Sequence, residues 1–248
     1  MTDFGAESVY VAEMKAVIFA LAPEAKIIDL SHSIRPYDIG QAERFLRRVA
    51  FLYPRGAVHT VVVDPGVGSE RKPVALSVRG HYFVGPDNGI FTAFAQMDGA
   101  KVIQLDRSEF FRDGISNTFH GRDIFAPIAG RLATGMLLES LGSAYELSAS
   151  IERKGPREEG KFIKGEIVDV DRFGNLITNI PAILAPEDGE VTIGEQRAEW
   201  VKCYSEGQKG KLLVLEGSDG YVELALKEGS AADFLDYPNI SEVSIRKT

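Results

Sequence analysis

The strongest constraint on how this chain can fold is a change of hydrophobic rhythm around residues 152–161. Before it, strand-like apolar runs alternate with longer helix-like segments. The runs are "KIIDL" (26–30), "HTVVV" (59–63), "VALSV" (74–78) and "KVIQL" (101–105). The spacing of apolar positions predicts helices over 9–21, 40–52, 88–97 and 123–132. Strand, helix, strand in that order predicts a three-layer α/β domain with a largely parallel sheet. The stretch "ERKGPREEGK" (152–161) is polar, charged and punctuated by Gly and Pro, as in a linker. Beyond it come short β-rich runs: "FIKGEIVDV", "NLITNI", "EVTI", "KLLVLEG", "YVELAL" and "SEVSIR". Their close spacing favours a small antiparallel barrel or sandwich. The expected fold is therefore α/β: an N-terminal three-layer domain over 1–155, then a smaller all-β, barrel-like C-terminal domain over 161–248. There is no internal repeat and no low-complexity tract.

Composition narrows the function classes. With 248 residues, 44% of them hydrophobic, the chain can bury a sizeable core. Mean hydropathy is −0.06, and no apolar run approaches the roughly 18 residues of a membrane span. A membrane partner is not expected. The formal charge of −8 argues against nucleic acid, whose phosphates call for a basic face. The single cysteine, Cys203, cannot form an internal disulfide, and no signal-peptide pattern opens the chain, which fits a reducing cytoplasm. Only Met1 and Thr2 precede Asp3, so a strand there is very short or the recorded start is clipped.

Four stretches carry candidate chemistry. In "VVVDPGVGSERKP" (61–73), three β-branched residues run into Asp64 and a Pro-Gly turn, with Arg71 seven positions on. Ligands of open α/β sheets bind at the carboxyl ends of strands, where Arg71 could fold back on the carboxylate. The alternative is a turn aspartate capping local amides beside a solvated arginine. In "SNTFHGRDIFAPIAGRLATG" (116–135), His120 and Gly121 fall at or just before a helix N-terminus, where a histidine can move a proton near neutrality. A capping or core histidine is the alternative. "TDFG" (2–5) puts Asp3 at another strand exit, able to accept both hydroxyls of a ribose or to cap the following helix. "DVDRFGNLITNI" (169–180) sets Asp171, Phe173 and Asn175 at a tight turn, a combination that suits a purine or an ordinary hairpin with a buried Phe.

Other chemistries lack support. His32, His59, His81 and His120 are scattered, with no HxxxH or Cys-rich spacing, so no metal is expected. No GxxxxGK[ST] or GxGxxG block is present.

Taken together, "TDFG…YVAEMKA", "IIDLSHSIRPYDIGQA", "TVVVDPGVGSERKPVAL", "YFVGPDNGIFT", "TFHGRDIFAP", "DRFGNLITNI" and "GYVELALKEGSAA" resemble the S-adenosyl-L-methionine (SAM) hydroxide adenosyltransferases, adenosine-forming SAM hydrolases related to the SAM-dependent fluorinase and chlorinase. The resemblance runs through nearly the whole chain in order. It implies attack of water or hydroxide on the ribose C5′ of SAM, displacing methionine and releasing adenosine. It assigns the catalytic set to Asp64, Arg71 and His120, with the formal base left open among them. It implies further that Asp3 holds the ribose diol, that Tyr37 packs near the sugar, and that Phe119 and Gly121 line the reacting centre. Asp171 and Asn175 would meet the methionine end with Phe173 nearby. Tyr204 would stack on adenine, whose edge would meet the backbone from Leu226 to Glu228. Ile177 stands where relatives carry a stacking aromatic. SAM is the substrate, so no cofactor is expected. A homotrimer with active sites between subunits is implied as well. The alternatives are a non-catalytic SAM or adenosine-binding protein and a SAM-dependent halogenating transferase. The latter is disfavoured because Asp64 and His120 fill the nucleophile pocket with acid–base groups.

Overall fold

A computed structural model describes residues 1–152, 154–186 and 189–247. Arg153 of the expected linker, and Glu187, Asp188 and Thr248 of the expected second domain, lie outside the described residues. The chain divides into two compact units, Met1–Glu152 and Arg153–Thr248.

The first unit opens with helix α1 (Val9–Leu21), capped by the Ser8 hydroxyl, which accepts the Tyr10 N–H at 3.3 Å. Helix α2 (Ile39–Val49) starts at Asp38, whose carboxylate accepts the Gln41 N–H at 2.7 Å, and ends with Arg47 and Arg48 at its negative pole. The strands are β1 (Val58–Thr60), β2 (Pro73–Val78), β3 (His81–Pro86), β4 (Lys101–Gln104) and β5 (Ser143–Ala144). The short α3 (Thr92–Ala95) lies between β3 and β4, and α4 (Ala126–Ala133) between β4 and β5.

The sheet order is β1-β3-β2-β4-β5, and it corrects the expectation of a largely parallel sheet. Only β1–β3 is parallel; β2–β3, β2–β4 and β4–β5 are antiparallel. The cause is local. Arg79 and Gly80 both adopt positive φ, +53° and +81°, a two-residue turn that folds β3 straight back on β2. Lys26–Leu30, expected as a strand, makes no ladder. The amides of Thr2 and Gly5 reach the carbonyls of Ser31 and His32 instead, just past that run. The helix expected over 88–97 shrinks to α3, because Gly89 (φ +98°) and Gly99 (φ +75°) break the chain on either side.

Alternation along the strands gives the sheet two apolar faces. Val74, Leu76, Val78 and Phe83 pack with Ala42 and Leu46 of α2 and Phe94 of α3. Ala75, Val84 and Ile103 pack with Met14 of α1 and with Ala126, Ile128 and Leu132 of α4. Helices thus cover both faces.

The second unit comprises β6 (Arg157–Glu159), β7 (Phe162–Val170), β8 (Leu176–Pro181), β9 (Glu190–Ile193), β10 (Gln196–Trp200), β11 (Leu212–Glu216), β12 (Tyr221–Leu226), helix α5 (Ala231–Phe234) and β13 (Glu242–Arg246). Seven strands, in the order β13-β9-β10-β11-β12-β8-β7, close into a barrel through the β13–β7 pairing. β6 forms a hairpin on β7, so the latter half of the expected linker is a strand. Ile163, Ile167, Leu176, Ile180, Val191, Ile193, Val214, Val222, Leu224, Val243 and Ile245, alternate residues along their strands, fill the interior. Among the described residues no helix is long and apolar enough to cross a membrane.

Candidate active site

Beyond β1 the chain stays extended. The Val61 N–H bonds to the Val84 carbonyl and the Val62 N–H to that of Met1, each at 2.9 Å, and Val61, Val62 and Val63 are buried. Asn88 donates its side-chain N–H to the Val63 carbonyl at 2.8 Å. Asp64 therefore leaves a fixed piece of backbone. The following turn brings Arg71 back over it, with the Ser69 hydroxyl accepting the Arg71 N–H at 3.3 Å.

The guanidinium meets Asp64 in fork fashion: Nε to Oδ1 at 3.0 Å and Nη2 to Oδ2 at 2.5 Å. Nη2 also lies 2.7 Å from His120 Nδ1. The Arg71 and Asp64 side chains are only 9% and 5% exposed, and the guanidinium sits over the Phe125 ring at 5.3 Å. Asp64 is thus no amide cap in an open turn, and Arg71 is no solvated charge. Arg71 Nη1 is buried and has no hydrogen-bond partner among the described residues.

His120 stands at the head of a π-helical turn, Gly121–Phe125, that runs into α4. The helical backbone starts earlier than the expected 123, so Pro127 lies inside a continuous helical run, and the Asp123 carbonyl that its missing N–H would have met accepts the Arg112 N–H at 2.9 Å instead. The loop carrying His120 presses on the Asp64 loop at Gly68: a Cβ there (φ +77°) would lie 2.4 Å from the Asn117 carbonyl oxygen. Burial pushes the His120 pKa below the ordinary histidine value, and the Arg71 charge adds to this against the pull of Asp64 and Asp123. Arginine only donates, so a neutral His120 accepts at Nδ1 and carries its proton on Nε2.

The other expected residues of this unit gather nearby. The parallel bridge between Thr2 and Val62 sets Asp3 at the same sheet end as Asp64. Asp3 Oδ2 accepts the Tyr37 N–H at 2.9 Å, holding an exposed tyrosine whose φ is +67°. Ser8, not Asp3, caps α1, which removes the capping alternative. Phe119 is buried and packs edge-on against Tyr10 and Phe4, with centroids at 5.0 and 5.9 Å. Gly121 lies so close to Met14 that a Cβ would stand 3.1 Å from its sulfur.

In the second unit, Asp171 organises its turn: Oδ1 accepts the N–H groups of Phe173 (2.8 Å) and Asn175 (2.9 Å), and Oδ2 accepts the Asn175 side-chain amide (3.0 Å). Phe173 is 80% exposed, so it is not the buried hairpin Phe of the alternative reading. The Ala232 N–H bonds to the Gly174 carbonyl, fixing this turn beside the segment that follows Leu226 and Glu228. Tyr204 donates its hydroxyl to Glu223 at 2.5 Å, and Lys227 Nζ donates to the Tyr204 carbonyl at 2.9 Å. Burial, reinforced by the Glu223 carboxylate, pushes the Tyr204 hydroxyl pKa up. Ile177 pairs with Glu223 across β8 and β12.

Sequence reasoning missed Asn88, Asp123, Phe125 and Glu223. All four sit inside quoted motifs ("GPDNG", "GRDIF", "YVELAL"), and only three-dimensional contact gives them a role.

The family model described as SAM hydroxide adenosyltransferase N-terminal domain matches residues 1–142, and that for the C-terminal domain matches 165–243. The chain is 36% identical over 239 residues to an (R)-S-adenosyl-L-methionine hydrolase of Salinispora tropica, covering 94% of this chain and 91% of the relative. It is 37% identical over 243 residues to the enzyme of that name from Thermus thermophilus, covering 95% and 93%. The crystal structure of an uncharacterized conserved protein from Thermotoga maritima superposes with a TM-score of 0.91 at 36% identity, covering 99% of this chain and 98% of the other.

Proposed function

The chain belongs to the SAM hydroxide adenosyltransferase family, and from that premise we propose that Asp64, Arg71 and His120 carry its hydrolysis of SAM to adenosine and L-methionine. Water forms the O–C5′ bond as the C5′–S bond breaks. The electron pair leaves with the sulfonium sulfur, which becomes the neutral thioether of methionine, and one proton is released. The leaving group is good without help, so the protein's tasks are to place the oxygen in line and to remove its proton.

Within the trio the roles separate by hydrogen-bonding capacity. His120 Nδ1 is engaged by Arg71, and Nε2 bears the proton, so the imidazole is not the acceptor. Arg71 has no lone pair to offer. Asp64 remains, with lone pairs beyond those that meet Arg71, and it takes the proton from the attacking water. Arg71 Nη1, a buried donor unpaired among the described residues, supplies a hydrogen bond and a positive charge to the oxygen as it becomes hydroxide-like. The observation that carries this reading is the shared Arg71 nitrogen, 2.5 Å from Asp64 and 2.7 Å from His120.

For the substrate, we assign Asp3 and Tyr37 to the ribose side and Phe119 and Gly121 to the reacting centre. Asp171, Phe173 and Asn175 take the methionine end. Tyr204 and the backbone from Leu226 to Glu228 take adenine. The reading calls for no cofactor and includes a cytoplasmic setting and a homotrimer, the latter tested by the mass of the purified protein in solution. The deciding experiment is incubation with SAM in ¹⁸O-water, followed by chromatography and mass spectrometry. Adenosine labelled at the 5′-hydroxyl, with equimolar methionine, is expected. Intact SAM after prolonged incubation, or unlabelled adenosine, would overturn the proposal.

A further inference from the structure

Asp64 and Arg71 secure one another through two hydrogen bonds, whereas His120 meets the pair through one contact at 2.7 Å. The placement of the imidazole therefore depends on the backbone that carries it. That backbone is closed by a residue outside the trio. Asp123 is 1% exposed, and its carboxylate accepts four hydrogen bonds: Ser116 N–H (2.9 Å) and Arg122 Nη2 (3.0 Å) on Oδ2, Arg122 Nε (2.7 Å) and Arg112 Nη1 (3.0 Å) on Oδ1. Its main chain adds two more, the N–H to Phe119 and the carbonyl from the Arg112 N–H.

We propose that Asp123 is a positioning residue, closing the loop 116–123 so that His120 Nδ1 meets Arg71. The proposal rests on the hydrolytic reading above. One side chain joins the start of the loop, at Ser116, to its end, and His120 lies between the two. Arg122 extends the bracing outward, its guanidinium over the Phe119 ring at 5.0 Å and its Nη1 2.7 Å from Glu13 of α1. Stability alone is a poor account of the arrangement. Burying a carboxylate against arginines returns little net energy once desolvation is counted, while four directed bonds fix a position well. A loop free to shift by about 1 Å would break the His120 contact, and displacements of that size lower turnover by about 10²-fold.

The test is Asp123→Asn, which keeps the side-chain shape and an acceptor for Ser116 but removes the charge. With the variant folded, kcat should fall about 10- to 100-fold while KM for SAM stays within about twofold, since the change acts on the reacting geometry. The imidazole ¹⁵N shifts of His120 should move as its Nδ1 loses Arg71. Unchanged kcat, unchanged His120 shifts, or a raised KM with kcat intact would each overturn the assignment. Should Asp123→Asn fail to fold, Arg112→Gln removes one donor from the more exposed side. A lower kcat at constant KM then supports the proposal, and wild-type kcat overturns it. If the wild-type protein releases no adenosine, the hydrolytic reading fails separately, and the ¹⁵N shifts still decide whether Asp123 sets His120.

Discussion

His120 Nδ1 lies 2.7 Å from Arg71 Nη2, a contact that only a neutral imidazole can make. Protonation would place a second cation against the guanidinium and abolish the hydrogen bond. Burial and Arg71 hold the His120 pKa below the ordinary histidine value, so the neutral form persists as pH falls to that value. The rate profile for adenosine release should therefore be level around neutrality and decline on the acid side, with its midpoint below about 6.5. A midpoint above that value would contradict the assigned tautomer.

Asp64→Asn keeps the shape of the site and removes the proton acceptor. Turnover should drop by about 10²-fold or more. SAM affinity, measured by calorimetry, should stay near wild type, because the carboxylate bonds Arg71 and is not assigned to the substrate. Wild-type turnover would exclude Asp64 from the chemistry.

Asn175→Ala acts at the other end of the substrate. It removes the amide bonded to Asp171 at 3.0 Å and, with it, the assigned contact to the methionine end. A lost side-chain hydrogen bond of about 1.5 kcal/mol corresponds to roughly tenfold weaker SAM binding. Unchanged affinity would discredit the assignment of that turn.

His59 offers a test of stability apart from catalysis. It is buried on β1, stacked on Phe83 at 4.9 Å and 3.4 Å from His81, and burial, with His81 adding, lowers its pKa to about 4. Because the folded value lies below the unfolded one, stability is fully present above about 6.5 and is lost as pH falls toward 4. The loss should reach about 3 kcal/mol in denaturant titrations at successive pH values. His59→Phe, which keeps the stack, should flatten that slope; an equally steep slope would place the effect elsewhere.

Legibility differed by element. The helix expected over 9–21 is α1 to the residue, because a continuous run of residues compatible with a helix is a local signal, although its cap is Ser8 and not the Asp3 that the sequence offered. The β-rich runs after residue 161 became strands for the same reason: alternation of apolar and polar residues depends only on the chain itself. The direction of the strands in the first unit is not legible in its strand–helix rhythm, because two residues, Arg79 and Gly80, reverse β3 on β2. In the site, the motif around Asp64 was readable as a strand end. Asp123 was not, since nothing in "GRD" announces that one carboxylate will reach Ser116 and Arg112 together.

What the chain determined by itself was a vocabulary: which stretches are helical or extended, where turns fall, and which residues carry charge at strand ends. These follow from propensity, capping and apolar period, all of which act over a few residues. Tertiary structure decided the pairings, from the barrel closure of β13 on β7 to the approach of Arg71 to His120 across 49 positions. Such contacts form only when distant segments are brought together by packing of the whole core. The tautomer of His120 is a property of that packing, because it is set by a donor that the local sequence does not supply.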